Sequence, residues 1–347
     1  MRRKLIITIY TLLFAVFSHA QDPNFTLFYN NPSYYNPAMT AINSGLTFRT
    51  NDRIQWRKIP GRFNTFSATF EGKLISTLGT GINLFSDVAG EGLLRTTGVT
   101  ILNSYCPIEN ANHKFQVGMS AGLMNRYIDW SKLSFSDQYD EVLGKIYPTN
   151  FVAPNYNSTN HLDLGTGVAY QFYYDNKTTK QFKKILVNLG VSMQHLNQPK
   201  DAFFDDKKYY PIKTIIHARS QILFGVLLYS IAGIYETQNK FSTSTLGFSI
   251  QHKSGFNVGL WSRNGNTINN QRLESLITSI GVFVPTKSIY KVKFNYSADF
   301  TISTLRMYSF GSHEISLVFM ISDKYILKGL QAKKQRKDMF KCSDDLK

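Results

Sequence analysis

The stretch YKVKFNYSADF, residues 290–300, alternates between polar and apolar side chains at every step. A two-residue period places successive side chains on opposite faces of a β-strand, so this stretch predicts a strand with one apolar face. The apolar face comprises Val292, Phe294, Tyr296, Ala298 and Phe300, and the polar face comprises Lys291, Lys293, Asn295, Ser297 and Asp299.

Comparable alternation recurs along the chain, for example over residues 114–123, 161–172 and 185–194. Two architectures accommodate such strands. In a soluble sandwich the apolar faces meet in a core, whereas in an outer-membrane barrel they meet lipid and the polar faces line the lumen. About fourteen strands are predicted, at residues 45–52, 62–73, 79–87, 93–105, 114–127, 161–174, 184–195, 213–222, 226–236, 241–252, 255–262, 274–284, 290–301 and 312–322.

The lengths of the connections distinguish the two architectures. The longest ones, residues 128–160 and 196–212, fall at the same end of the predicted strands, and the shortest turns fall at the other end. Bacterial barrels place long loops outside the cell and short turns in the periplasm, whereas a sandwich has no reason to sort its loops. The sequence therefore predicts an all-β fold, an antiparallel transmembrane barrel of the outer membrane. Both chain ends are expected on the periplasmic side, and Lys291, Lys293 and Asp299 are expected to face the lumen.

Composition narrows the class of protein. Of 347 residues, 39 are Lys or Arg and 23 are Asp or Glu, a net charge of +16, yet charged residues make up only 18%. That fraction lies below the ~25% usual for soluble domains, and 43% hydrophobic residues exclude intrinsic disorder. The two cysteines exclude a disulfide-rich scaffold and a four-cysteine zinc site. In an exported barrel the positive charge does not indicate nucleic-acid binding.

The first twenty residues have the three parts of a secretory signal peptide. Arg2, Arg3 and Lys4 precede an apolar run over 5–17, and Ser18-His19-Ala20 forms a small-residue cleavage site. A membrane anchor is the alternative, but the run is short for a span of ~20 residues. The predicted organisation is a signal peptide at 1–20, a periplasmic or plug segment at 21–44, the barrel at 45–322 and a basic periplasmic tail at 323–347.

No catalytic or cofactor motif is in a suitable context. Gly118-Met119-Ser120-Ala121-Gly122 matches the Gly-x-Ser-x-Gly motif of hydrolases, but that motif requires a sharp turn from a strand into a helix. Here it lies inside a predicted strand, so the small residues are interpreted as facing the lumen. The seven histidines and two cysteines have no metal-ligand spacing. We therefore expect no enzyme, no cofactor and no metal.

A series of short motifs resembles the PorP/SprF family of Bacteroidota type IX secretion and gliding proteins. The resemblance covers residues 21 to about 322, with two departures, at Met39-Thr40 and in the tail at Lys341-Cys342-Ser343. The matching motifs, in order, are Gln21-Asp22-Pro23-Asn24-Phe25, Asn31-Pro32, Tyr35-Asn36-Pro37-Ala38, Arg53-Ile54-Gln55-Trp56, Thr65-Phe66-Ser67-Ala68, Asp87-Val88-Ala89-Gly90, residues 129–138 (DWSKLSFSDQ), His195-Leu196-Asn197-Gln198-Pro199 and residues 312–317 (SHEISL).

The resemblance implies a barrel of the type IX machinery in the cell outer membrane, embedded in its lipid. Members in gliding bacteria resemble dedicated partners of large secreted adhesins. Others resemble core components that contact periplasmic ring or peptidoglycan-binding proteins. Two function classes follow, an interaction scaffold that holds the C-terminal region of an adhesin and, as the alternative, a porin-like or hydrophobic-solute channel.

Several of these motifs fall at the predicted extracellular end, where loops on a rigid scaffold commonly carry binding. The alternative is that the loops pack on one another and cap the barrel. In either case Arg53 and Arg57 are expected to pair with Asp87 or Asp137. The predicted partner-binding residues are Arg53, Trp56, Asp129, Trp130, Phe135, Asp137, Gln138, Tyr139, Asn197 and Gln198.

The segment ahead of the first strand lacks alternation and is rich in Tyr, Asn and Pro. Proline disfavours helix at the residue before it and cannot donate to a β-ladder. We expect an ordered plug inside or beneath the barrel. Its motif residues are Asp22, Pro23, Phe25, Tyr35, Asn36 and Pro37.

Overall fold

The structure is a computed structural model. It describes residues 22–43, 45–58, 61, 63–90, 93–140, 142–154, 157–175, 182–200, 209–267, 270–284, 290–302 and 310–321. The predicted signal peptide and basic tail lie outside the described residues. Across the described part of the chain, no helix is long and apolar enough to cross a membrane.

Fourteen antiparallel strands form one closed barrel, as the sequence predicts. Each strand pairs with its neighbours in the chain, and the first strand pairs with the last to close the ring. The barrel strands are β1 (Leu46–Gln55), β2 (Phe63–Ile75), β3 (Leu78–Ala89), β4 (Leu94–Glu109), β5 (His113–Ile128), β8 (Ser158–Asp175), β9 (Phe182–Gln194), β10 (Lys213–Phe224), β11 (Leu227–Gln238), β12 (Phe241–His252), β13 (Phe256–Thr267), β14 (Asn270–Val284), β15 (Tyr290–Thr301) and β16 (Ser312–Ile321), while β6 (Tyr139–Asp140) and β7 (Gly144–Lys145) form a separate hairpin.

The two ends of the barrel differ in their connections. We call the end with the connections after β1, β5, β9 and β15 the loop end, because the longest connections lie there. The opposite end, which holds the tight connections after β2, β4 and β10, is the turn end. β1 begins and β16 finishes at the turn end. This sorting of connections agrees with the predicted topology.

The predicted strand phase is confirmed. Phe294 is 46% exposed on the outer face, whereas Lys293 donates to Asn30 inside the barrel and Asp299 is buried there. In β5, Met119 and Leu123 face outward and Gly118 is buried on the inner side. The Gly-x-Ser-x-Gly motif therefore lies in a strand and not at a turn, as expected.

Strands extend beyond their predicted limits, mainly at the loop end. β8 begins at Ser158 rather than at residue 161. β13 extends to Thr267 and β14 begins at Asn270, so the predicted connection 263–273 is mostly strand. Beyond the apolar band of the barrel both faces of a strand meet water. The alternation of polar and apolar residues therefore ends there, although the strands remain paired. The hairpin of β6 and β7 was not predicted, because each of its strands has only two residues.

Candidate functional site

Residues 22–43, which we call the lumen segment, run through the inside of the barrel from one end to the other. At the loop end, the backbone N–H of Asp22 donates to Gln238 over 3.2 Å. At the turn end, Lys114 Nζ donates to the carbonyl of Ile42. Phe25 and Ala38 between them are at most 2% exposed. Asp22, the first described residue, therefore lies at the loop end, which the predicted topology assigns to the outside and not to the periplasm.

A buried charge network holds the first part of the lumen segment. Glu314 accepts hydrogen bonds from the backbone N–H groups of Thr26 (2.6 Å) and Leu27 (3.0 Å). Arg53 bridges Asp299 at 2.8 Å and Glu314 at 3.5 Å and also donates to the Thr26 hydroxyl. Two carboxylates thus meet two backbone donors from the segment and two guanidinium groups, those of Arg53 and of Arg263, which pairs with Asp299 at 2.7 Å. These partners satisfy charges that would be costly to bury alone.

This network corrects the ion pairing predicted for Arg53. The residue is 1% exposed, and its side chain faces the lumen. It pairs with Asp299 and Glu314, not with Asp87 or Asp137. Asp87 instead accepts a hydrogen bond from Thr65 over 2.7 Å. The motif at residues 53–56 spans the end of β1. Its arginine still lies in the strand, at a position whose side chain faces the lumen.

A second ion pair holds the middle of the lumen segment. Arg49 and Glu71, on the neighbouring strands β1 and β2, pair at 2.9 Å. Arg49 also donates to the carbonyl of Asn30 over 3.0 Å, and Glu71 accepts from the hydroxyl of Ser33. All of these groups are buried. The first anchor thus uses charged side chains from β1, β15 and β16, and the second uses those of β1 and β2.

Asn36, Pro37 and Ala38 lie in a recess of the barrel wall that is lined by small residues. Asn36 Nδ2 lies 3.0 Å from the carbonyl of Val168 and 3.1 Å from His217 Nε2, and Asn36 Oδ1 accepts from the N–H of Ala38. Gly118 and Gly167 face each other on β5 and β8, and a side chain at either position would clash with this motif. The glycines therefore provide the space in which the motif packs.

Aromatic rings fill the space between the segment and β13. Trp261 stacks on Tyr29 at a centroid distance of 4.9 Å and meets Phe28 edge-on at 6.2 Å. Tyr35 donates to the carbonyl of Phe25 over 3.1 Å and packs in the same cluster. Aromatic pairs of this kind add to the stabilisation that burial alone supplies. Of the predicted motif residues, Phe25, Tyr35, Asn36 and Pro37 are thus buried inside the barrel.

Above the lumen segment lies a cavity of about 760 Å³ at the loop end. Asp22 and Pro23 form part of its floor, and Trp56 lies in its wall. Here His195 lies 2.7 Å from Asp22 and 2.9 Å from Asp163. Burial disfavours the charged imidazole, but the two carboxylates outweigh it and raise the pKa of His195 to about 10. Although burial opposes ionisation of Asp22, His195 holds the pKa of that carboxyl below its usual range.

We expect this contact to weaken in base. A histidine whose pKa is higher in the folded than in the unfolded protein stabilises the folded state. This stabilisation is complete below the unfolded pKa of ~6.5 and is lost as the pH rises through the folded pKa. For Asp22, with a lowered pKa, the contribution is lost only in acid. Cleavage near Asp22 by a broad-range protease should therefore accelerate severalfold between pH 7 and pH 10.5.

The variant His195→Gln is the control for this experiment, because its side chain carries no charge at any pH. It should be cleaved readily at both values, with little difference between them. Equal protection of the unmodified protein at pH 7 and pH 10.5 would contradict the role of the His195 charge.

The long loop after β5 is held together by its own motif residues. Trp130 is 8% exposed and packs 5.9 Å from Phe151, and Phe135 stacks on Phe151 at 4.3 Å. Asp129 caps a short 3₁₀ turn by accepting from Ser131. These contacts lie within one loop and give it a defined shape.

Two further motif residues also have internal partners. Asp137 accepts hydrogen bonds from the hydroxyl of Thr149 and the backbone N–H of Asn150. Gln138 accepts from the N–H of Phe135 through its side chain and from the N–H groups of Ile146 and Tyr147 through its carbonyl. Asp137 is exposed and Gln138 is half-buried. The motif 129–138 therefore shapes the loop from which β6 and β7 project.

The tip of this loop is apolar and exposed. Asp140 accepts hydrogen bonds from the backbone N–H groups of Val142 and Leu143, which fixes the turn between β6 and β7. Val142 is 88% exposed and Leu143 70% exposed. We call this surface the loop tip; its members are Tyr139, Val142, Leu143, Ile146, Tyr147 and Val152. Among the predicted partner-binding residues, only Tyr139 belongs to it.

The remaining predicted residues are spread around the loop end. Trp56 has a positive φ of 55° and meets Phe63 edge-on at 5.2 Å. Asn197 bonds to the backbone of Leu162 and Leu164, which fixes the turn after β9. Gln198 is exposed and also has a positive φ. The structure therefore does not gather the predicted set into one site.

Sequence reasoning missed the inward partners of the lumen segment. Arg49 and Arg53 share the phase of Thr47 and Asn51 in β1, all of which are buried. Charged residues on the inward-facing positions of a strand indicate partners inside the barrel, and this pattern is visible in the sequence. Their partners across the barrel had no signal, since Thr26 and Glu314 are 288 residues apart.

Comparisons with known proteins identify the family of the chain. Among solved structures, the chain resembles the CymD monoaromatic hydrocarbon channel, at 10% identity over 86% of this chain and 94% of that one, with a TM-score of 0.45. A FadL homologue of Pseudomonas aeruginosa matches at 11% identity over 86% and 95%, with a TM-score of 0.41. No match was found among curated proteins. The family model of the type IX secretion system membrane protein PorP/SprF matches residues 17–319, and the chain therefore belongs to that family.

Proposed function

We propose that this protein is an outer-membrane component of the type IX machinery that holds the C-terminal region of a secreted adhesin at its loop end. In this proposal the loop end is extracellular and the turn end is periplasmic, as is usual for bacterial barrels. Periplasmic ring or peptidoglycan-binding components would contact the turn end. Family membership supports the secretion role, and the loop tip supports the position of the binding surface.

The observation that carries the proposal is the exposed apolar surface of the loop tip. Val142 and Leu143 project from a turn that Asp140 fixes, so little conformational entropy would be lost on binding. Tyr139 and Tyr147 flank them, and buried aromatic anchors commonly dominate binding energy. Contiguous exposed apolar surface on a folded protein commonly marks an interaction site. Trp130 and Phe135, by contrast, support the loop from within.

The lumen segment argues against the alternative of an open channel. Phe25, Leu27 and Ala38 are buried where a solute would pass, and the segment is hydrogen-bonded to strands around the barrel. We therefore propose that the segment is a plug. The purified protein in a planar bilayer should show little steady conductance, whereas large and steady conductance would support the channel instead.

The binding proposal is tested with the double variant Val142→Ser and Leu143→Ser. Loss of an apolar anchor in an interface costs about 2 kcal/mol or more, about thirtyfold in affinity. Adhesin co-purification and surface display should fall by at least that factor, while the heat resistance of the barrel in detergent stays unchanged. The matched control is Val226→Ser, an exposed apolar residue in a turn-end connection. If the double variant captures adhesin normally, the site lies elsewhere on the protein.

A further inference from the structure

A second cavity lies toward the turn end, between the lumen segment and the barrel wall. Its volume is about 150 Å³, and Tyr29 and Asn30 of the segment form one side of it. Four Lys or Arg side chains line it together with His217, and none of the described residues that line it is Asp or Glu. The basic residues are Arg49, Lys184, Arg219 and Lys293.

Two of these cations converge on one aromatic ring. Arg219 lies 4.9 Å and Lys293 5.2 Å from the centre of the Tyr29 ring. The ring offsets part of their charge through cation–π attraction, but this attraction is weaker than an ion pair. The charge of Arg49 is compensated differently, because Arg49 pairs with Glu71, which does not line the cavity.

Hydrogen-bond donors at the cavity also remain unused. Asn30 is 2% exposed, and its Oδ1 accepts from Lys293 over 2.9 Å, so its amide nitrogen is the end left to donate. Asn30 Nδ2 and Arg219 Nε are both buried and have no hydrogen-bond partner among the described residues. A buried donor without an acceptor is costly, and a site with several such donors and cations fits an anion with several acceptor oxygens.

We propose that this cavity binds a small oxyanion of the phosphate class, which joins the lumen segment to β10 and β15. Asn30 supplies the contact from the segment, and Arg219 and Lys293 supply those from the strands. A cavity of 150 Å³ has room for about five waters at ~30 Å³ each, and a tetrahedral oxyanion has five heavy atoms. Its position inside the barrel, away from the lipid face, favours a soluble anion over a lipid headgroup.

The test uses the full-length protein in detergent, with inorganic phosphate as the probe and chloride at equal ionic strength as the reference. Equilibrium dialysis with labelled phosphate should give about one bound phosphate per protein, and phosphate should raise the unfolding temperature saturably. Chloride at the same ionic strength should not.

Arg219→Gln and Lys293→Gln should each lower phosphate affinity at least tenfold. Lys145→Gln, which removes a cation from the exposed loop tip region, should leave it unchanged. Heat-dependent migration in gels verifies that each variant is folded. If only one of the two cavity variants folds, that variant is sufficient for the test. Phosphate stabilisation that equals that of chloride, or that persists in a folded cavity variant, would overturn the proposal.

Discussion

The variant Glu314→Ala is expected to release the start of the lumen segment and to destabilise the barrel by about 3–5 kcal/mol, the usual cost of breaking a buried ion pair by removing one partner. Glu314 is fully buried and accepts from the N–H groups of Thr26 and Leu27. Without it, both donors lose their acceptor, and Asp299 is the carboxylate that still pairs with Arg53.

The measurements for this variant are the unfolding temperature in detergent and the rate of protease cleavage within residues 22–30. Both should change together, since one side chain serves the strand and the segment. Glu314→Gln retains an acceptor without the charge, so its effects should be smaller. A fully protected segment in the alanine variant would show that other contacts are sufficient to hold it.

Gly118→Leu is expected to have the second large effect, which is displacement of the segment from a barrel that stays folded. A Cβ atom at this position would overlap the backbone of Pro37 and Ala38, and backbone cannot move aside as a flexible side chain can. Overpacking usually costs ~1–3 kcal/mol, and here the strain falls on the contact between the segment and the wall. Single-channel conductance should rise from near zero to steady openings.

Ala121→Leu is the matched control for Gly118→Leu. It lies three residues further along β5, on the outer face, where a larger apolar side chain meets lipid. It should leave conductance unchanged. If Gly118→Leu also remains closed and its segment stays protease-resistant, the recess does not determine where the segment lies.

The barrel itself could be predicted from the sequence because strand phase is a local property. In β15 the position of each residue in the alternation gives the face on which its side chain lies, so Phe294 and Asp299 were placed correctly. Strand ends were less predictable, as β13 and β14 show, because the alternation stops where both faces meet water. The internal hydrogen bonds of Asp129, Asp137 and Gln138 could not be predicted, because they depend on how the loop folds. For the same reason Tyr139 is the one member of the loop tip among the predicted residues.

The contacts of the lumen segment could not be predicted, because they join residues far apart in the chain. Arg53 illustrates the difficulty. Its motif suggested an outer surface, yet its partners Asp299 and Glu314 lie more than two hundred residues later. Asn36 likewise packs against glycines. Only the structure with the segment inside the barrel shows that these glycines provide its space.

The position of Glu314 has a consequence for the order of biogenesis. Arg53 and Glu314 are direct partners in the ladder between β1 and β16, the seam at which the ring closes, and both hold Thr26. Completing the seam and docking the segment therefore use the same side chains. If the segment were threaded in afterwards, Glu314 would be buried without the backbone donors of Thr26 and Leu27. We therefore expect residues 22–43 to lie within the curved sheet already when β16 pairs with β1, so that the segment serves as the template around which the ring is completed.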